Sequence, residues 1–398
     1  MEREAELEWI RRYLSHLEAG TTELAPSALR RSSEVFTSPE HCERERDLVF
    51  HRQPVVVGLS CELSKPGDFF TISVAGVPIV VMRDRDGEVG AFVNLCRHRG
   101  GPVAKGRGHA EGGHLRCPFH SWTYTTSGEL AAIPHAGEAF DSIDRSEWGL
   151  RRLACVEHVG MILVRITGEG ALDGATALDG VDADFEAIEL PNYHHFETRS
   201  TSWECNWKLL LATFLESYHV FSLHRESVDP WYFSHPMVHD VWGGNIRFPV
   251  ARRTIAELAD EDESKWRLAD HATIQWLVSP HALVSYTRDY LLLWRFYSPQ
   301  PNRTEIVTSL YSAAPFDTEK ARLRLAKAFD GQMRIAGAED FPLQEEIQRG
   351  LDSGAQPEVI FGRNEVAVLS FMEGLERALD PALDQRMAPV VDTTEDRA

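Results

Sequence analysis

Asn94-Leu95-Cys96-Arg97-His98-Arg99-Gly100-Gly101 and, further on, Arg116-Cys117-Pro118-Phe119-His120-Ser121-Trp122 decide how the rest of the chain is read. Each turn supplies one thiolate and one imidazole. Residues 99–116 separate the two pairs, so they can share a metal group only if the chain folds back and the turns face each other. The intervening stretch allows this, with Gly100, Gly101, Gly106, Gly108, Gly112 and Gly113 as turn points. Two Cys and two His suit zinc, or a two-iron, two-sulfur cluster in which two imidazoles replace two thiolates on one iron. The order of the ligands bears on the choice. A zinc finger usually brings both Cys on one turn and both His on another. Here each turn carries one of each, so two similar loops can clamp a cluster from both sides.

Composition sets bounds. The 398 residues give room for two or three cores, and no apolar run reaches membrane-spanning length. The formal charge of −20 argues against nucleic acid as a partner and agrees with a cytoplasmic enzyme. The start of the chain, MEREAELEWIRRYL, is charged and amphipathic and does not read as a secretory signal. Cys42, Cys61, Cys155 and Cys205 show no regular spacing, which fits free thiols in a reducing compartment.

Taken in order, residues 3 to 19 predict a helix from Leu7, Ile10, Leu14 and Leu17, ended by Gly20. A second short helix is expected within 33–48, from near Ser38-Pro39-Glu40. From His51 to Ile166 the pattern changes to short strands rich in β-branched and aromatic residues, with hairpin signals at Ala75-Gly76 and Asp86-Gly87. Both Cys/His turns fall at strand ends. Residues 167–190, rich in Gly, Ala and Asp, read as a linker. Leu209, Leu210, Phe214 and Leu215 then mark a helix. Antiparallel strands are expected over 245–258, 272–300 and 304–315, and helices over 318–335, 339–350 and 364–379. A sheet with segregated helices makes the second part α+β.

Glu216, His219 and His224 form an E-x-x-H-x4-H set at the end of that helix. Nonheme iron that activates O2 takes two His and one carboxylate on one face, leaving sites open. Ligands five residues apart on a regular helix are rotated by about 140°. Both imidazoles reach one ion only if the helix bulges or ends between them.

At this point the chain resembles a known family. NLCRHRGGPVAKG and RCPFHSWTYTTSGEL, with Arg97-His98-Arg99-Gly100 and the Trp122, Tyr124, Gly128 turn, look like the Rieske segment of the aromatic-ring-hydroxylating oxygenases, large (alpha) subunit type. Asn206-Trp207-Lys208 before the His pair matches as well. The resemblance implies an N-terminal helical arm (1–48) packing on the catalytic domain, an all-β Rieske domain (49–166) and a helix-grip catalytic domain with a curved antiparallel sheet (167–398). It implies Cys96, His98, Cys117 and His120 as [2Fe-2S] ligands, and His219, His224 and Asp340 as ligands of a mononuclear Fe(II). Asp340 comes from an E-D-x4-E-x2-Q pattern met by Glu339, Asp340, Glu345 and Gln348. Glu216 would link His120 of one subunit to His219 of the next. Two departures stand out: this bridge is Glu where many members have Asp, and Thr213 stands near where many have Asn.

The function so implied is a terminal oxygenase that uses O2 on a small organic substrate, by ring hydroxylation or by oxidative demethylation of an amine or ether. Electrons would come from NAD(P)H through a separate reductase or ferredoxin. The expected assembly is a homotrimer, with or without a small beta subunit, and neither nucleic acid nor membrane is a partner. Two rivals belong to other classes. A Rieske electron-transfer protein would not need His219, His224 and Asp340, and a zinc-stabilised helix-grip binding protein would contain no cluster iron. Arg247, Arg252 and Arg253 are candidates to meet an acidic substrate, although solvated strand-end charge is their usual role. Trp231, Tyr232, Phe233, Trp276, Trp294 and Phe296 are candidates to line an aromatic or cationic pocket, although most such residues are core.

Overall fold

β-Branched and aromatic residues between 55 and 165 build a seven-stranded antiparallel sheet. Its order is Val55–Leu59, Met161–Arg165, Arg152–His158, Val89–Val93, Val77–Arg83, Asp68–Val74 and Arg107–His109. This is a computed structural model, and it describes residues 1–380. The end of the stretch assigned to the second domain, 381–398, lies outside them. The predicted hairpin closes at Ala75-Gly76, both with positive φ (45° and 91°), the twist that a two-residue hairpin needs. A separate three-stranded sheet, His114–Arg116, Thr123–Thr125 and Leu130–Ala132, carries the second Cys/His turn. Beneath both turns lies a small core of Val80, Met82, Phe92, Leu115, Trp122 and Tyr124.

The second sheet is eight-stranded and antiparallel. Its order is His194–Trp203, Arg303–Ser312, Tyr290–Gln300, Ala282–Tyr286, Ala272–Val278, Asn245–Arg247 and Asp240–Trp242, with Val250–Ala251 also paired to Ala272–Val278. Helices Trp207–Phe214, Glu319–Ile335, Phe341–Asp352 and Val366–Leu379 accompany it. Leu210, Leu211, Phe329, Phe341, Phe371 and Met372 share one buried cluster with Leu292, Trp294 and Phe296 of the sheet. Val55, Val57, Ile162 and Val164 of the first sheet belong to the same cluster, so the apolar core is continuous between the two parts.

Polar contacts follow the same seam. Arg295 donates to the Val57 carbonyl, and the Tyr297 hydroxyl donates to the Val56 carbonyl at 3.2 Å. Tyr311 donates to the fully buried Glu62 at 2.5 Å, and Arg107 pairs with the other Glu62 oxygen. Burial raises the Glu62 pKa, but Arg107 and Arg295 outweigh it, and the carboxyl is held below its ordinary value.

Several elements differ from the sequence expectation. The 33–48 helix is broken: Glu34–Thr37 and Pro39–Glu45 meet at Ser38, whose hydroxyl caps the second by accepting from the His41 N–H at 3.2 Å. The 167–190 linker is structured. It contains helices Gly174–Ala177 and Asp182–Ala187, and Leu178, Val181, Phe185 and Leu190 are fully buried. Leu178, Val181 and Phe185 recur at helical spacing, which the Gly, Ala and Asp between them hid. Beyond Ala251 the expected strand becomes a 3-10 segment, Arg253–Asp260, that buries Ile255 and Leu258. Side chains three apart eclipse in that geometry, so the two point the same way. Of the proposed turn glycines, Gly101 and Gly108 do not have positive φ, and Gly108 lies within a strand. Among the described residues no helix is long and apolar enough to cross a membrane.

Candidate metal centres

The two Cys/His turns share one backbone pattern. In the first, the Cys96 N–H donates to the Gly101 carbonyl at 2.7 Å and the Gly100 N–H to the Cys96 carbonyl at 2.8 Å. In the second, the Cys117 N–H donates to the Trp122 carbonyl at 2.9 Å and the Ser121 N–H to the Cys117 carbonyl at 3.0 Å. Each loop reverses through a positive φ at the same place, 75° at Gly100 and 58° at Ser121. Two loops of one shape thus present Cys96 and Cys117, both buried, and His98 and His120, whose rings stand 4.7 Å apart edge to face. His98 stacks on Trp122 (5.0 Å, 5°), and the Tyr124 hydroxyl sits 3.3 Å from Cys96 Sγ while accepting from the Arg97 N–H at 3.0 Å.

A single zinc ion would draw its four donors to within about 4 Å of one another, given bonds of about 2.0–2.3 Å. Among the described residues, the group of three or more such donors within 4.8 Å is His219, His224 and Asp340, not the paired loops. The wider spread of the loop donors fits a two-iron cluster. His109 and His114, which lie between the two turns, are exposed, and His109 pairs with Asp68 at 2.9 Å.

Asn206 starts the helix toward the second centre, its side chain capping the Lys208 N–H at 3.0 Å. Glu45 of the N-terminal segment holds that end of the helix, accepting from Trp207 Nε1 (2.9 Å) and Lys208 Nζ (2.6 Å). The helix stops at Phe214, before either histidine. His219 and His224 instead flank the one-turn helix Val220–Leu223, which brings their rings to 5.1 Å. The expected break therefore comes earlier than between the two.

Asp340 arrives from the opposite side. The expected helices at 318–335 and 339–350 are joined without a loop by a π-turn, Ala336–Asp340. The wider turn ends at buried Asp340, whose Oδ1 lies 2.9 Å from His224 Nε2 and 3.5 Å from His219 Nε2. Cis ligands about 2.1 Å from one metal lie about 3 Å apart, so this spacing suits an ion. Behind each imidazole stands a second carboxylate. Glu216 accepts from both Nδ1 and the backbone N–H of His219, the latter at 3.0 Å. Glu339 accepts from His224 Nδ1 at 2.8 Å and from Ser227 Oγ at 2.6 Å. Burial disfavours a charged His224, but Asp340 and Glu339 outweigh it and raise its pKa. The remaining residues of the E-D-x4-E-x2-Q pattern brace the helices against each other. Glu345 accepts from the Glu204 N–H at 2.8 Å and Gln348 from the Asn206 N–H at 3.0 Å. The outer carboxylate Glu339 and Ser227 were not singled out by sequence; Glu339 was visible there only as the first residue of that pattern.

A cavity of about 230 Å³ opens on the three donors. Thr213 lines it, although its hydroxyl is spent on the Leu209 carbonyl at 3.0 Å. Of the suggested pocket aromatics only Tyr232 lines it. Trp276, Trp294 and Phe296 are fully buried core, Phe233 packs beneath the first helix, and Trp231 is 69% exposed. Of the three arginines only Arg252 lines it. Arg247 is buried between Asp184 and Asp240, each at 2.8 Å, and Arg253 lies 3.4 Å from Asp229.

Comparison with known proteins agrees with this layout. Residues 53–156 match the Rieske [2Fe-2S] domain, and residues 190–380 match the catalytic domain of the ring-hydroxylating alpha subunit. The glycine betaine monooxygenase oxygenase subunit of Pseudomonas aeruginosa is 26% identical, over 87% of this chain and 89% of its own length. Chlorobenzene dioxygenase subunit alpha of Cupriavidus sp. is 29% identical over 48% of this chain, which spans only 43% of that relative. The solved quaternary ammonium Rieske monooxygenase CntA superposes with a TM-score of 0.76 at 20% identity, covering 89% of this chain and 97% of that one, a likeness of fold. The family's cofactors are a Rieske cluster and a mononuclear iron. With one model over each sheet, in the family's order, the chain belongs to the Rieske-type ring-hydroxylating oxygenases, as an alpha, catalytic subunit.

Proposed function

We propose that the chain is a terminal oxygenase in which Cys96, His98, Cys117 and His120 hold the [2Fe-2S] cluster and His219, His224 and Asp340 hold Fe(II). When bound, these groups relay single electrons from a reductase or ferredoxin, drawn from NAD(P)H, and activate O2 beside an organic substrate. The observation that carries the reading is three donors within 4.8 Å on the wall of a cavity, both imidazoles backed by carboxylates. Glu216 and Glu339 keep the proton on Nδ1, which leaves Nε2 of each ring free to donate to a cation. Asp340 supplies the anionic ligand. Val220, Val228, Leu292 and Ile335 give part of the cavity an apolar wall that keeps bulk water from the reacting carbon. The reaction is ring hydroxylation or oxidative demethylation of an amine or ether. A cluster-only electron carrier has no use for the second donor set.

The division we propose is a helical arm to residue 48, a cluster domain over 49–166 and a catalytic domain from 167. The assembly is a cytoplasmic homotrimer with head-to-tail contacts that repeat and close. Glu216 would reach His120 of the partner subunit across each boundary. Supporting this, His120 is exposed beside Phe119 (63% exposed), and Glu216 is followed by exposed Tyr218 and Phe221.

Metal analysis and the visible spectrum test the reading. Purified protein is expected to be red-brown, with about two irons and two sulfides from the cluster and one further iron. Cys96→Ala or Cys117→Ala removes the colour. Asp340→Ala or His219→Ala loses the single iron and O2 uptake while the colour stays. Zinc in place of cluster iron, or wild-type turnover in Asp340→Ala, overturns the assignment. For the assembly, Glu216→Gln is expected to keep both metal sites filled yet slow product formation in a single turnover of pre-reduced protein. Wild-type speed in that variant, or an active monomer, sinks the proposed path.

A further inference from the structure

The charges lining the iron cavity are unevenly partnered. Its acids are taken: Glu216 by His219, and Asp340 by both imidazoles. Its one Lys or Arg, among the described residues, is Arg252. Arg252 is half-buried, and its guanidinium meets the Tyr232 ring at 5.8 Å with no carboxylate partner among the described residues, unlike Arg247 and Arg253. A guanidinium brought to a cavity with no carboxylate partner makes a poor apolar pocket and a good anion site.

We propose that Arg252 is the anchor for a carboxylate on the substrate, so that this oxygenase takes a small carboxylate-bearing molecule. This rests on the oxygenase reading and specifies its substrate class. The planar fork of Arg252 takes both carboxylate oxygens. Leu292, Phe214 and Ile335 receive the apolar body. The Tyr232 ring, already faced by a guanidinium, is a poor seat for a bare quaternary ammonium. Choline-like cations are therefore disfavoured, and a neutral arene would leave Arg252 without a partner. Two sources share the required chemistry, aromatic acids and zwitterionic betaines.

The test is equilibrium binding to the purified holoenzyme, anaerobic and without reductase, so that no turnover intervenes. Benzoate, phenoxyacetate and glycine betaine are compared with toluene, anisole and choline by calorimetry. The expected result is that at least one acid binds and its uncharged or cationic counterpart binds about thirtyfold more weakly, the loss of ~2 kcal/mol for a charge-assisted pair. Whether benzoate or betaine leads tells the two sources apart. Arg252→Gln is expected to raise the Kd of that acid roughly thirtyfold, and Arg252→Lys to recover part of it, with cluster spectrum and iron content unchanged. The proposal is overturned if no acid binds more tightly than its counterpart, or if Arg252→Gln keeps the wild-type Kd. Oxygen uptake with a surrogate reductase separates the two readings. Arg252-dependent binding with no turnover of any acid defeats the oxygenase reading alone. Turnover of neutral substrates with no dependence on Arg252 defeats the carboxylate site alone.

Discussion

Glu339 and Glu216 show how single side chains prepare this centre. A histidine that offers Nε2 to a metal must keep its proton on Nδ1, and a carboxylate there fixes both tautomer and ring plane. Glu339 does this for His224 while also accepting from Ser227 Oγ. Burial works against its charge, but Ser227 and His224 outweigh that and its pKa is lowered. Glu339→Gln can accept one such bond but carries no charge. Iron affinity is therefore expected to fall about tenfold or more, with the Rieske absorption unchanged. Competition with a chelator measures it, and wild-type affinity in Glu339→Gln would mean that the ring is held by packing alone. The residue scale was the most legible in sequence for the cluster loops, because Cys96, His98, Cys117 and His120 sit in two short turns. The iron set was less so. His219 and His224 are close in sequence, but Asp340 is distant and looks like an ordinary acidic residue at the start of a helix. It was found through resemblance, and spacing alone gives no signal for it.

Among the elements, the π-turn Ala336–Asp340 places the third donor. It holds one residue more than an α-turn, so it rotates Asp340 relative to the preceding helix. Inserting one alanine after Ala338, an exposed position, adds winding that the turn, already holding its extra residue, does not absorb, and is expected to turn Asp340 by about 100° out of the donor set. The variant should keep its helix content by circular dichroism, keep the cluster spectrum and lose the mononuclear iron. Retention of that iron would show that the turn is incidental. Sequence periodicity read helices on both sides of this turn and missed their fusion, because a π-turn uses the same residue types as the helix around it. Strands 272–312 were legible from their Val, Ile, Leu and aromatic runs. Residues 29–32 and 358–361 were not: each short strand has little periodicity, and each exists because the other end of the chain pairs with it.

At the scale of the molecule, buried histidines contribute to the acid limb of stability. His281 is fully buried with neither ring nitrogen bonded, and burial, with Arg295 nearby, lowers its pKa to about 3. Burial lowers His195 to about 4. Both folded values lie below the unfolded value of about 6.5, so the unfolded chain takes up protons first. The contribution of these two groups is thus full above about pH 6.5 and falls as pH drops toward the folded values, by about 1.4 kcal/mol per pH unit for each group. His281→Leu is expected to make the loss between pH 6.5 and 5 shallower by one proton, seen in melting temperatures at pH 7.5, 6 and 5. An unchanged pH dependence would show that other groups dominate. The seam between the two sheets bears on how such proteins are recombined over generations. Two of its acceptors are the carbonyls of residues 56 and 57, which any sequence supplies, and one is the side chain of Glu62. A chimera taking its cluster half from a distant homologue would retain the first two whatever their side chains, and of these three polar contacts only the one at position 62 would depend on ancestry.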